Sequence, residues 1–245
     1  MSLKTVWWPV AKDRITPIPI WDTEAPDPAS DNSYRTWPRT VAIDPTRTNV
    51  PPNETTTVSF LNVPRPNSHV VGLDKFHYVT IDAQTAANAM ANGRLVQFVT
   101  DVLGRPLQEG DITVFAGSHL TTKEIDDWVW ATFWWHDRPD VGPFAMDRTP
   151  GVQGVWRNYL MSTAYDVNLP REPQGTPHIA FNPWVEAGFN DGIVSNCMNC
   201  HHRATSPLVH FLPIRRGDPD LQTDPSYAAG RLRTDFLWSV PMRAN

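Results

Sequence analysis

Twenty-four prolines are spread through the 245 residues, from Pro9 to Pro241. Proline fixes φ, lacks an amide donor and stops helices. A chain punctuated this densely is restricted to short helices, extended loops and strands that sit at edges or bulges. The clearest helix is predicted over 82–92, where Ala83, Ala86, Ala87, Ala89, Met90 and Ala91 have high helix propensity. Asp82 is placed to cap its start and Gly93 to end it.

The rest leans towards strands. Thr40–Ile43 and the β-branched run Thr55–Val63 read as strands, as do stretches within 69–81, 95–102 and 111–116. The segment Trp128–His136, rich in tryptophan and β-branched residues, reads as a strand buried on both faces. Thr121–Glu124 fits a capping box at the start of a helical turn. His178–Phe181 is a short strand, and alternation over 155–165 is too weak to assign. Residues 225–232 look weakly helical and 234–240 look like a closing strand. Residues 1–54 are Pro-rich and weakly periodic, which suggests an extended arm around a β-rich core over 55–190. The expected class is α+β, predominantly β, one domain with an antiparallel sheet or sandwich core and a short C-terminal helical segment within 191–245.

That last segment holds both cysteines of the chain, in Cys197-Met198-Asn199-Cys200-His201. C-x-x-C-H is the signature of covalent haem c attachment. Two thiols three positions apart suit the two vinyl groups on one porphyrin edge, and the next histidine offers an imidazole nitrogen to iron. Asp191-Gly192 reads as a turn, Ser195 or Asn196 as a helix cap, and Pro207 as the limit of the helix. Three other readings stand beside it. A thioredoxin-like redox pair wants a βαβ context, whereas this motif is late in the chain. A zinc site needs a fourth ligand beyond Cys197, Cys200 and His201 or His202. The plain reading is a disulfide or two free thiols.

The motif resembles that of c-type cytochromes. With Phe181-Asn182-Pro183-Trp184, Ser195-Asn196 and the upstream Trp128–Phe133, the chain is similar to exported bacterial single-haem "cytochrome c family" proteins of undefined function. The resemblance implies one covalent haem c, His201 as proximal ligand, and no particular activity. The chain departs from small helical cytochromes, which carry the motif near their start, and from helical-bundle cytochromes, whose long amphipathic helices are absent. A β-sheet class with a late motif, the cytochrome c-prime-beta type, is the closer architectural analogue.

The group across the iron decides the role. A sixth protein ligand gives an electron carrier; an open site admits small molecules, gases or peroxide chemistry. His119, His136, Met146 and Met242 are the distal candidates, and His202 is expected to point away from the ring. Each has an ordinary alternative as a satisfied histidine or a core-filling methionine. His119 and His136-Asp137 could also share a metal, though spacing lends this little support.

A formal charge of −5 and the lack of a basic stripe argue against a nucleic-acid partner. No apolar run is long enough to span a membrane. No phosphate loop, nucleophile elbow or paired acid and base is found. The start, Met1–Pro9, lacks the apolar core of a signal peptide. Because haem c is attached outside the cytoplasm, the expectation is a mature periplasmic or exported domain whose export signal has been replaced. Such a chain made in a cytoplasm would lack haem. A redox partner protein is expected.

Overall fold

The computed structural model describes residues 1–21, 33–166, 169–175, 178–186, 196–207 and 228–243. In chain order the first half comprises β1 (Ser2–Val10), β2 (Thr16–Ile20), β3 (Arg39–Asp44), β4 (Thr55–Phe60), β5 (Val63–Gly72), β6 (Tyr78–Thr80), α1 (Ala83–Met90) and α2 (Gly93–Leu103). The second half comprises β7 (Ile112–Thr122), β8 (Val129–Trp135), β9 (Tyr159–Ala164), α3 (Cys197–His201), β10 (Thr205–Ser206), β11 (Leu232–Arg233) and α4 (Ser239–Arg243). The fold is α+β and predominantly β.

β7 organises the larger sheet. One side pairs with β1 along its length; the other pairs first with β6 and then with β8, which in turn pairs with β9, all antiparallel. The smaller sheet runs β2-β3-β5-β4 and is mixed, because β3 and β5 are parallel. β10 and β11 form a separate pair. One apolar core draws on both main sheets, with Ile18, Ile43 and Phe60 from the smaller and Trp8, Val114 and Leu160 from the larger.

The described residues of the first 54 (1–21 and 33–54) are not an arm around this core. They supply β1, β2 and β3, and all five residues of β2 are buried. The prolines explain both the misleading pattern and its tolerance. Pro17 and Pro19 have the same parity, so both donorless nitrogens lie on one side of β2, and β2 is an edge strand. Trp8 ties this segment in. It is fully buried, its Nε1 donates to the Pro17 carbonyl at 2.8 Å, and its ring packs on Phe60, Phe98 and Trp184 at 6.0, 5.3 and 5.3 Å between centroids.

Residues 95–102 are helical rather than extended. The apolar positions Phe98, Val99, Val102 and Leu103 repeat with helical spacing, and this outweighs the β-branched content. Asn92 Oδ1 accepts from the amides of Arg94 and Leu95, and Gly104 closes α2 in the left-handed region at φ 66°. Asp82 caps α1 as expected, accepting from the Thr85 amide at 2.6 Å. Gly93, however, begins α2 instead of ending α1.

Thr121 and Thr122 continue β7 and start no helix. β8 forms where expected, but only one face is fully buried: Trp130, Thr132 and Trp134 are buried, while Val129, Ala131 and Phe133 are half-buried. The weakly alternating 155–165 region holds β9. His178–Phe181 is an irregular segment rather than a strand, held by side chains. Residues 234–240 do not form a strand, because Asp235 and Phe236 adopt φ of 50° and 65°. Of the 225–232 helix, the described residues 228–232 form a turn and the start of β11; Asp191, Gly192 and Ser195 lie outside the described residues.

Because Trp8 joins β1, β4 and α2 through one ring, Trp8→Ala is expected to cost about 3–5 kcal/mol of unfolding free energy. Urea unfolding followed by circular dichroism measures it. A loss well below 1 kcal/mol would show that the core is not centred on this residue.

Candidate functional site

Asn182 builds the floor of the site. It is fully buried. Its amide nitrogen donates to the carbonyls of Ser118 and Phe133 at 3.2 and 2.9 Å and to Thr132 Oγ1 at 2.7 Å. Its Oδ1 accepts from the amides of Trp184 and Val185 at 3.0 and 3.1 Å. One side chain thus fastens an irregular loop to β7 and β8 and satisfies both backbones. Its own amide donates to Glu186 Oε2 at 2.6 Å, and that oxygen lies 3.5 Å from His119 Nε2.

The other end of the loop is clamped by His178. Nδ1 lies 2.6 Å from Glu172 Oε1 and Nε2 lies 2.6 Å from Asp147 Oδ2. Carboxylates accept only, so both ring nitrogens carry protons and the ring is a cation. Burial opposes that charge, but the bonds and charges of Asp147 and Glu172 outweigh it, and the pKa of His178 rises.

The cysteine motif forms α3 beside this loop. Asn196 caps it: Oδ1 accepts from the amides of Met198 and Asn199, and the Asn196 amide donates to Asn199 Oδ1 at 2.9 Å. This reciprocal box, with Asn in place of the usual acidic partner, makes so short a helix tenable. Cys197 and Cys200 sit at i, i+3 as thiols that no disulfide joins. Cys197 is buried, its Sγ lies 3.8 Å from the Ala180 carbonyl, and burial foremost, then Glu186, raises its pKa well above that of an ordinary thiol. Cys200 is half-exposed. Cys197 and Met198 join Trp128, Trp130, Ala164, Ala180 and Phe236 in an apolar cluster of their own.

His201 projects from the end of α3 against Trp130, with ring centroids 4.1 Å apart. Its Nδ1 is 2.8 Å from the Phe236 carbonyl. A carbonyl only accepts, so Nδ1 carries the proton and Nε2 keeps a lone pair. Burial pushes its pKa down to about 4, with the Phe236 bond and Glu186 opposing and His119 and Lys4 adding to the shift. At pH 7 the imidazole is neutral. The carbonyl that orients it belongs to one of two successive left-handed residues, Asp235 and Phe236. Lys123 holds that turn by pairing both oxygens of Asp235 at 2.6 Å, and Trp128 Nε1 donates to Asp235 at 3.3 Å.

The structure brings only part of the sequence-derived set together. His119 pairs with Thr132 across β7 and β8, so it shares the sheet face of Thr132 and Trp130 with His201. His136 stands six residues from Trp130, about 20 Å along the strand. It is buried, its Nδ1 accepts from the Arg138 amide at 3.0 Å, and burial foremost lowers its pKa. His119 and His136 are about 13 Å apart by the same register, too far to share a metal. Met146 is 92 % exposed, in a 3-10 turn over Pro143–Asp147. Met242 is exposed on α4, which packs on β10 just beyond α3. His202 folds back, its Nδ1 donating to the Met198 carbonyl of its own helix. Sequence reasoning missed Asn182, Glu186, Trp130 as the ring against His201, and the Phe236 carbonyl. The quoted Asn182-Pro183-Trp184 block was the one signal for the first of these.

An apolar cavity of about 680 Å³, lined by Trp7, Phe115, Phe133, Trp156 and Tyr159, lies on the opposite face of β8, since Phe133 and Trp130 have opposite parity. It is therefore not the space over His201. Among the described residues no group of three or more His, Cys, Asp or Glu could hold a metal ion, which gives the four-ligand zinc reading no support there. Comparison with protein-family models, with curated proteins and with solved structures finds no match in any of the three.

Asn182→Ala is expected to cost about 2–4 kcal/mol, because it strips partners from two loop amides and from buried sheet acceptors. Chemical unfolding measures it; a cost below about 1 kcal/mol would mean that other contacts hold the loop. For His178 the raised folded pKa means that its contribution is fully present below about pH 6.5 and is lost as pH rises through the folded value. The stability gap between wild type and His178→Asn should therefore narrow as pH rises above about 6.5 and through the raised folded value. A gap that is flat or widens with pH would contradict the cationic clamp.

Proposed function

We propose that the chain is a haem c protein, holding one haem through Cys197 and Cys200 with His201 as the proximal iron ligand, and that it transfers electrons in the bacterial periplasm. The observation that carries this reading is the bond from His201 Nδ1 to the Phe236 carbonyl. Ligating histidines commonly donate their second ring nitrogen to such an acceptor, which fixes tautomer and orientation and makes the free nitrogen more basic. The neutral imidazole and the two unbridged thiols on one helix complete a donor set that fits the group. When bound, haem supplies reversible one-electron exchange at iron.

The residues divide the remaining work. Asn196 and Asn199 hold the helix that carries both thiols, and Asn182 anchors the loop under Cys197. Trp130, Phe236 and Met198 surround the motif with apolar surface, the kind of shell that keeps water from a redox centre. The Trp130 ring and the burial of Cys197 also cover the donors, so loading requires this segment to open before it packs. His119 is the distal candidate that the shared sheet face favours, and ligation by it would make the protein an electron carrier that works with a redox partner protein. If His119 stays on Glu186 instead, the distal site is open, and the protein is a haem enzyme or a binder of small molecules or gases.

Co-expression with haem c maturation proteins in a periplasm tests the reading. The purified chain should carry one haem that survives denaturation, by mass and by pyridine haemochrome spectrum. Cys197→Ala with Cys200→Ala should abolish attachment, and His201→Ala should disturb the spectrum of whatever haem is attached. A six-coordinate low-spin spectrum that His119→Ala converts to high spin supports the carrier. A folded chain that takes no haem under these conditions overturns the proposal.

A further inference from the structure

A second polar site lies where the two main sheets meet, away from the cysteine motif. Arg39 begins β3, and its Nη2 donates to both oxygens of Asp137, just beyond β8, at 2.9 and 2.7 Å. Beside this pair is a cleft of about 350 Å³ lined by Arg39, Thr40, Arg65, Ser68, His69 and Asp137, with Pro64 and Pro66 at its edge. The backbone there is shaped and stiff. Prolines flank Arg65, Asn67 is left-handed at φ 57°, and the β4–β5 register slips between Thr56 and Val58 opposite this stretch. A bulge of this kind re-aims side chains.

Four buried polar atoms of the cleft residues have no hydrogen-bond partner: Arg39 Nη1, Arg65 Nε, Thr40 Oγ1 and His69 Nε2. Thr40 is itself only 8 % exposed. Buried polar atoms almost always find partners, and leaving one without costs about 1–3 kcal/mol. Four such atoms on residues that line one cleft are not a packing accident of one side chain. Nor does a single water account for the space, since a water occupies only about 30 Å³ of liquid. The guanidinium nitrogens donate only, the Thr40 hydroxyl donates or accepts, and a His69 Nε2–H would donate. Two arginines and one carboxylate, Asp137, line the cleft, and that carboxylate is already engaged by Arg39, with His69 Nδ1 4.0 Å away.

We propose that this cleft binds a small oxyanion, a phosphate group, through Arg39, Arg65, Thr40 and His69. Guanidinium groups match the spacing of phosphate oxygens and bind them through charge-assisted bonds. The cleft is larger than the anion alone, so the phosphate group is either free or the end of a small organic ester. The proposal rests on no property of the cysteine motif.

Calorimetric titration of the full chain with inorganic phosphate, and separately with glycerol phosphate, tests it at constant ionic strength against chloride. Saturable binding is expected, weakened about tenfold by Arg65→Gln and measurably by Thr40→Val. Cys197→Ala with Cys200→Ala should bind as wild type does. Tighter binding of the ester identifies an esterified ligand, and equal or tighter binding of inorganic phosphate identifies the free anion. Should Arg65→Gln fail to fold, the near-isosteric Thr40→Val carries the comparison. Heat that follows ionic strength alone, or folded variants that bind as tightly as wild type, would overturn the proposal.

Discussion

The site depends first on the carboxamide of Asn182. An amide side chain offers two donor hydrogens and two acceptor lone pairs, and here both ends are in use. The donor end meets β7 and β8; the acceptor end meets the loop. No apolar residue could do this, because loop amides buried against a sheet would have nothing to bond. Asp would keep the acceptor end but replace the donors with a charge facing carbonyl oxygens. The loop can therefore be irregular and still be fixed. It sets the Ala180 carbonyl near Cys197 and Glu186 near His119.

A second constraint works from the other side. Left-handed φ is rare for non-glycine residues, and tolerable for Asp more than for Phe. Asp235 and Phe236 hold it in succession, at a cost of order 1–3 kcal/mol each. Lys123 and Trp128 grip Asp235, and Phe236 packs with Trp130 at 6.4 Å between centroids. The consequence of this conformation is the direction of one carbonyl, which fixes the tautomer of His201. Strain, packing and protonation state are thus linked through a single peptide group.

How much of this could be read from the sequence follows from the range of each interaction. The class, the position of strand β8 and the cap of α1 are local, and local pattern revealed them, though not that only one face of β8 is fully buried. α2 was misread because Val96, Phe98, Val99, Val102 and Leu103 have strand-like chemistry but helical spacing. The Pro-rich first 54 residues were misread because proline signals a loop unless a free sheet edge is there to receive it, and the edge is made by residues distant in sequence. In the site, the cysteine spacing is local and was plain. The Phe236 carbonyl, Glu186 and the His178 clamp come from contacts across 35, 67 and 31 residues at their widest, and no short pattern encodes them. His119 and His136 looked equivalent as strand-end histidines; the register of β7 on β8 separates them.

β8 also separates the two ends of the molecule energetically. Trp130 faces the cysteine motif at one end, and Asp137 holds Arg39 just past the other. Seven residues of extended chain span about 23 Å. Sites that far apart with no shared partner act independently unless a two-state element connects them. The described residues show one candidate path, the backbone of β8 itself. Its middle, at Thr132 and Phe133, is where Asn182 is bonded. A sheet strand paired on both sides by β7 and β9 has little freedom to slide, since a one-residue slip would turn Trp130 and Trp134 out of the core. The same pairing that positions both sites insulates them. An anion in the cleft would then stabilise the fold as a ligand does, without altering the chemistry at His201.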